Sequence, residues 1–96
     1  MDALHTENMD KFFKTVLSLE SIEECYRFFE DVCTINELLA ISQRFEVARM
    51  LNSGKNYLDI SALTGASTAT ISRVNKCLVY GEGYKLAFKK LSEEDK

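Results

Sequence analysis

The segment from Ile60 to Val74, Ile-Ser-Ala-Leu-Thr-Gly-Ala-Ser-Thr-Ala-Thr-Ile-Ser-Arg-Val, leaves this chain few ways to fold. Gly65 can take the positive φ of a helix C′ position without Cβ strain, so it ends one helix. Ser67 offers its hydroxyl oxygen to free backbone N–H groups and opens a second helix as its N-cap. A glycine-containing turn of three or four residues separates the two, which sets helices steeply across each other. The spacing predicts a helix-turn-helix, with Ile60, Leu63, Ile71 and Val74 making apolar contacts inside the corner. Thr68, Ala69, Ser72 and Arg73 fall on the outer face of the second helix. Small side chains there let the backbone approach base edges and phosphates. Lys76 adds a positive charge one turn later, and the segment points to double-stranded DNA as partner.

The net charge of −3 runs against that partner until it is resolved along the chain. Residues 1–41 hold nine acids and three bases, whereas residues 42–90 hold eight bases and three acids. Phosphate attraction acts within a Debye length, ~8–10 Å, so a basic half can bind while an acidic half faces away. Arg44, Arg49, Lys55, Arg73 and Lys76 belong to that basic half. Lys85, Lys89 and Lys90 read individually as a solvated helix face.

Proline is absent, no low-complexity linker or repeat interrupts the chain, and strong helix formers run throughout. A single all-α domain over 1–96 follows. A first helix is predicted at 7–19, with Met9, Phe12, Phe13, Val16 and Leu17 on one face. Ser21-Ile22-Glu23-Glu24 is a capping box opening a second helix that reaches Cys33. Thr34-Ile35-Asn36-Glu37 repeats the device for a longer third helix, which ends at Ser53-Gly54. Asn56 caps a helix over 57–64, the recognition helix covers 68–79, and a last helix covers 84–91. The aromatic residues Phe12, Phe13, Tyr26, Phe28 and Phe29 make stripes wide for segments that wrap one small corner. A second copy of the chain completes such a core. One helix-turn-helix contacts few base pairs, while a two-fold dimer reads two half-sites. The expectation is a homodimer built through residues 1–33, with 34–54 as central helix and 55–79 as the helix-turn-helix.

No apolar run approaches the ~20 residues of a membrane span and the N-terminus lacks a signal-peptide pattern, so a cytoplasmic protein is expected. Cys25, Cys33 and Cys77 are odd in number and lack Cys-x-x-Cys spacing, and His5 is the single histidine. Reduced, mostly buried thiols and no metal site are expected. With no nucleophile–base pair, paired-carboxylate site or glycine-rich phosphate loop in view, no catalytic residue is expected either.

Residues 34–80 resemble the Trp repressor superfamily, and within it the Trp repressor-like YerC/YecD branch of bacterial proteins. The resemblance rests on Thr34 with Glu37, on Gln43-Arg44, and on Gly65 through Lys76. It implies a six-helix fold with a helix-turn-helix, assembled as an intertwined dimer whose heads bind operator DNA. The implied function is a transcriptional regulator, a repressor of a metabolic operon of the amino-acid biosynthesis kind. In the tryptophan-sensing members two arginines sandwich the corepressor indole, and Arg44 and Arg73 match them. A guanidinium can stack on an aromatic face and also hold a carboxylate. Thr34, Arg44, Arg73, Val74 and Cys77 are therefore the candidate effector pocket. Those members carry glycine after the second arginine, where this chain has Val74. They use a serine to help hold the ligand's amino group, where this chain has Cys77, a poor partner for an ammonium. A branched side chain in the slot blocks an indole by overlap, and overpacking typically costs ~1–3 kcal/mol. Three roles stay open for the two arginines. They hold a smaller amino-acid-like effector, or contact phosphate while Val74 fills the slot, or pair with acids such as Glu46 or Glu37.

On this reading the start of the recognition helix, Ser67 to Thr70, enters the major groove with its positive dipole end toward the DNA backbone. Ser67, Thr70 and Ser72 can donate to phosphates, and Ala69 or the Thr68 methyl can touch a thymine methyl. Lys55, Asn56, Arg73 and Lys76 complete the candidate DNA contacts. Few long side chains face outward, so DNA shape and water-mediated contacts are expected to carry selectivity. The Trp repressor is itself the standard example of water-mediated readout, so that share is implied by the resemblance. The alternative reading is a protein-interaction module whose corner, with the acidic N-terminal half as docking surface, acts on a transcription component without binding DNA.

Overall fold

Six α-helices and no strand make up residues 2–94, the part that the computed structural model describes: α1 (Glu7–Leu17), α2 (Ile22–Val32), α3 (Ile35–Asn52), α4 (Tyr57–Thr64), α5 (Thr68–Tyr80) and α6 (Gly83–Glu94). The all-α class and the six-helix order expected from the sequence are both present. The chain divides into two compact units between Leu38 and Leu39, inside α3.

In the first unit, side-chain caps set the helix starts. Thr6 accepts the Met9 N–H at α1, and Ser21 accepts the Glu24 N–H at α2. The expected capping box at Ser21 is displaced by one residue, because the Glu24 carboxylate reaches past Ser21 to the Glu20 N–H at 2.8 Å. At Thr34 the box is reciprocal. The hydroxyl accepts the Glu37 N–H at 3.1 Å, and the Glu37 carboxylate accepts the Thr34 N–H at 2.8 Å. Helices α1 and α2 meet through phenylalanines: the Phe12 ring stacks on Phe28 at 5.9 Å and meets Phe29 edge-on at 6.3 Å. Such pairs add ~0.5–1.5 kcal/mol beyond the area they bury. No residue of α1 or α2 is fully buried.

The second unit has the buried core. Val47 and Ala48 of α3, Ile60 of α4, Ala66 of the turn, and Ile71 and Val74 of α5 form it. Met50, Leu51, Tyr84 and Phe88 pack against its edge. Phe88 stacks on Tyr84 at 6.1 Å and lies 5.7 Å from the Phe45 ring, which seats α6 beside α3. Gly54, at φ +91°, closes α3: its N–H reaches the Leu51 carbonyl and the Lys55 N–H the Met50 carbonyl, a Schellman pattern.

Four expectations need correction. Leu63 is 63% exposed and lies outside the corner. Thr64, four residues after Ile60 and therefore on its face, takes the inner position. The last helix extends from Gly83 to Glu94, because Ser92, Glu93 and Glu94 offer no breaker after Leu91. The first helix stops at Leu17, where the Ser18 N–H turns back to the Thr15 carbonyl and the Leu19 N–H to the Val16 carbonyl. The thiols are not buried: Cys25 and Cys77 are exposed and Cys33 is half-buried.

The capping box at Thr34 carries a pH signature. The N–H of Thr34, and then its hydroxyl, favour the charged carboxylate and hold the Glu37 carboxyl below its ordinary value of 4.5. Because the folded value is the lower one, the stabilisation is complete above pH 4.5 and fades as pH falls through the folded value. Thermal unfolding of Glu37→Gln across the acid range is expected to show a shallower loss of Tm than the unchanged protein. Superimposable acid limbs would remove this cap from the account.

Candidate nucleic-acid interface

Helices α4 and α5 form the corner that the sequence predicts, and the bonds between them are local. Asn56 Oδ1 accepts the Asp59 N–H and starts α4. Gly65 ends it at φ +75°, its N–H bonded to the Ser61 carbonyl at 2.9 Å. Nothing stands within 4 Å of a Cβ built on Gly65, so the backbone conformation alone selects glycine there. The Ser61 hydroxyl donates to the Ala66 carbonyl, and Thr64 Oγ1 accepts the Ala66 N–H while donating to the Ile60 carbonyl. Ala66, 2% exposed, plugs the inside of the turn.

Ser67 Oγ accepts the Thr70 N–H at 3.2 Å and opens α5. The same hydroxyl donates to Thr70 Oγ1 at 3.1 Å, so the proton it would offer a phosphate is already directed inward. The Thr70 hydroxyl is left as the free donor of that pair. Ile71 and Val74 lie three apart on one face and sink into the core. That fixes the opposite face outward: Thr68, Ala69, Ser72, Arg73 and Lys76 are all exposed, and Thr70 is half-buried. Lys55 and Asn56, just before α4, are exposed as well. Neither Arg44 nor Arg73 takes part in an ion pair among the described residues. Glu46 instead holds Arg49 through two bonds of 2.9 and 3.0 Å, which lowers the Glu46 carboxyl and raises the Arg49 guanidinium from their ordinary values. The Glu37 carboxylate is engaged by Thr34.

Sequence reading passed over Tyr80 and gave Lys85 only a solvated helix face. Tyr80, 84% exposed, continues the Ala69, Arg73, Lys76 stripe at helical spacing, a signal that was readable. Lys85 of α6 donates Nζ to the Val79 carbonyl at 2.9 Å. It thus satisfies an end carbonyl of α5 and places a cation at the negative end of that helix. No local pattern announces it.

Val74 and Cys77, two of the candidate effector residues, lie in different surroundings. Val74, 2% exposed, is part of the core. Cys77 opens instead onto an apolar cavity of about 410 Å³, which Phe45, Gly81, Tyr84 and Ala87 also line and which includes neither Arg44 nor Arg73. Thr34 stands at the start of α3 in the first unit, exposed.

The relatives agree with this architecture. The sequence profile of the Trp repressor protein family matches residues 7–92. The chain is 51% identical to the uncharacterized protein YerC of Bacillus subtilis (strain 168), over 99% of its own length and 92% of that protein. The crystal structure of a TrpR-like protein from Eubacterium eligens superposes with a TM-score of 0.89 at 57% identity, covering 93% of each chain. A second crystal structure, of a Staphylococcus aureus protein, superposes with a TM-score of 0.88 at 43% identity, over 93% of this chain and 90% of that one. With its profile, its relatives and its six-helix fold in agreement, the chain belongs to the Trp repressor family of DNA-binding transcription regulators.

Proposed function

We propose that the protein is a dimeric repressor that places the start of α5 in the major groove of an operator and blocks a promoter by occupying it. One observation carries this reading. The inner face of α5 is locked into the core by Ile71 and Val74, so its small, hydroxyl-bearing and basic face has no alternative to solvent or a ligand. Ala69 and the Thr68 methyl are short enough for the helix to approach thymine methyls, and Thr70 and Ser72 hydroxyls suit phosphate oxygens. Arg73, Lys76 and Lys55 supply the salt-dependent attraction. No helix among the described residues is long and apolar enough to cross a membrane.

A second copy completes the binding site in this reading. Leu17, Ile22 and Tyr26 of α1 and α2 are 84%, 77% and 61% exposed, and neither helix buries a residue completely. Large apolar side chains left this open are a surface for another protein face, and two-fold pairing also supplies the second reading head. Light scattering at micromolar concentration is expected to give twice the chain mass. A monomer alone would end the dimeric part of the proposal.

Regulation by tryptophan is not part of it. Val74 already occupies space inside the core, so the heads need no bound indole to hold α5 in place, and Arg73 is left for phosphate. Titrations against duplex DNA at several salt concentrations test both points. Affinity is expected to be the same with and without excess tryptophan. Lys76→Ala is expected to weaken binding on every sequence and flatten the salt slope by about one unit. Absence of salt-dependent duplex binding would favour a protein-docking role for the corner, and enhancement by tryptophan would overturn the effector-free reading.

A further inference from the structure

Among the described residues, a single side-chain hydrogen bond ties α3 to the helix-turn-helix: Gln43 Nε2 donates to the Thr64 carbonyl at 3.2 Å, across 21 positions of sequence. The remaining contact between these elements is apolar, made by Val47 and Ala48 with Ile60, Ile71 and Val74. Apolar burial attracts without direction, so on its own it leaves helices free to rotate and slide by small amounts. A hydrogen bond weakens steeply with angle and can fix what the apolar contact leaves loose.

Its acceptor is well placed for that. Thr64 is the last residue of α4, where carbonyls run out of intrahelical partners. The bond is partly buried, in a groove lined by Ser42, Glu46, Met50 and Leu63. From Thr64 the linkage continues through its hydroxyl to the Ala66 N–H, and Ala66 leads directly into Ser67, the cap of α5. A displacement at Thr64 therefore reaches the start of α5 within three residues.

We propose that Gln43 is the positioning residue that sets the angle of α5 against α3, and with it the angle at which the exposed face of α5 meets its duplex. The duplex half of this statement rests on the DNA-binding reading above, while the positioning half is measurable in the free protein. Gln43→Met keeps length and removes the donor. Far-UV circular dichroism checks its fold, and amide NMR of the free protein gives the first readout. The amides of Thr64 to Thr70 are expected to shift while those of α6 stay in place. Duplex affinity is expected to fall about three- to tenfold, the factor one partly buried hydrogen bond accounts for, with the salt slope unchanged because every cation remains. Gln43→Glu is the second variant. It lacks the donor when ionised and regains it when protonated, so its Thr64 to Thr70 amides are expected to return toward wild-type positions as pH falls below about 4.3, with wild type as the pH control. This pair of conditions decides the matter if the methionine variant fails to fold. Unmoved Thr64 to Thr70 amides in the substituted proteins would overturn the proposal, as would unchanged affinity in a variant whose amides do move. Failure of the unsubstituted protein to bind any duplex would instead remove the DNA-binding reading, and the amide shifts would still decide the role of Gln43.

Discussion

Everything that faces outward on α5 is fixed by what faces inward. Ile71 and Val74 sit in a core formed with Val47, Ala48, Ile60 and Ala66, and each aliphatic side chain of that size contributes roughly 1.5–3 kcal/mol when removed from water. A helix pinned along one face has no freedom to choose the other. Thr68, Ala69, Ser72, Arg73 and Lys76 are exposed for that reason, and the hydroxyl-and-cation surface is a consequence of core packing. Gly65 and Ser67 make the pinning possible by turning the chain sharply enough for α4 and α5 to share one core.

Much of this was legible in the residues, and the legible part has a common cause. Caps act over three or four positions: Ser21, Thr34, Asn56 and Ser67 each accept an N–H three residues ahead, so their spacing in the chain is their geometry. Helical periodicity likewise placed Ile71 and Val74 inside and Arg73 outside. What stayed hidden depends on neighbours distant in sequence. The Gln43 bond to Thr64 and the Lys85 bond to Val79 need two elements already docked, and no pattern within either segment encodes them. The general habit of thiols predicts a buried Cys77, yet it stands off the Ile71–Val74 face and is exposed. Leu63 was overruled by Thr64, whose two hydroxyl bonds hold it at the turn.

The same core bears on ligand control. A regulator gated by a small aromatic molecule needs a gap beside its recognition helix that the molecule fills. Val74 is 2% exposed in the core, and in the proposed function it takes the place of such a molecule by supporting α5 from within the chain. Charge segregation adds the second half of the argument. The bases of residues 42–90 surround the corner in sequence, while the acids concentrate in residues 1–41.

In the proposed function the outward face of α5 is the surface that meets DNA. Amide and side-chain methyl NMR of the protein, titrated with a short duplex at low salt, tests it most directly. Perturbations are expected to concentrate on Ser67 to Lys76 and on Lys55 and Asn56, and to reverse as salt is raised. Perturbations confined to α1 and α2, or none at any salt concentration, would contradict it.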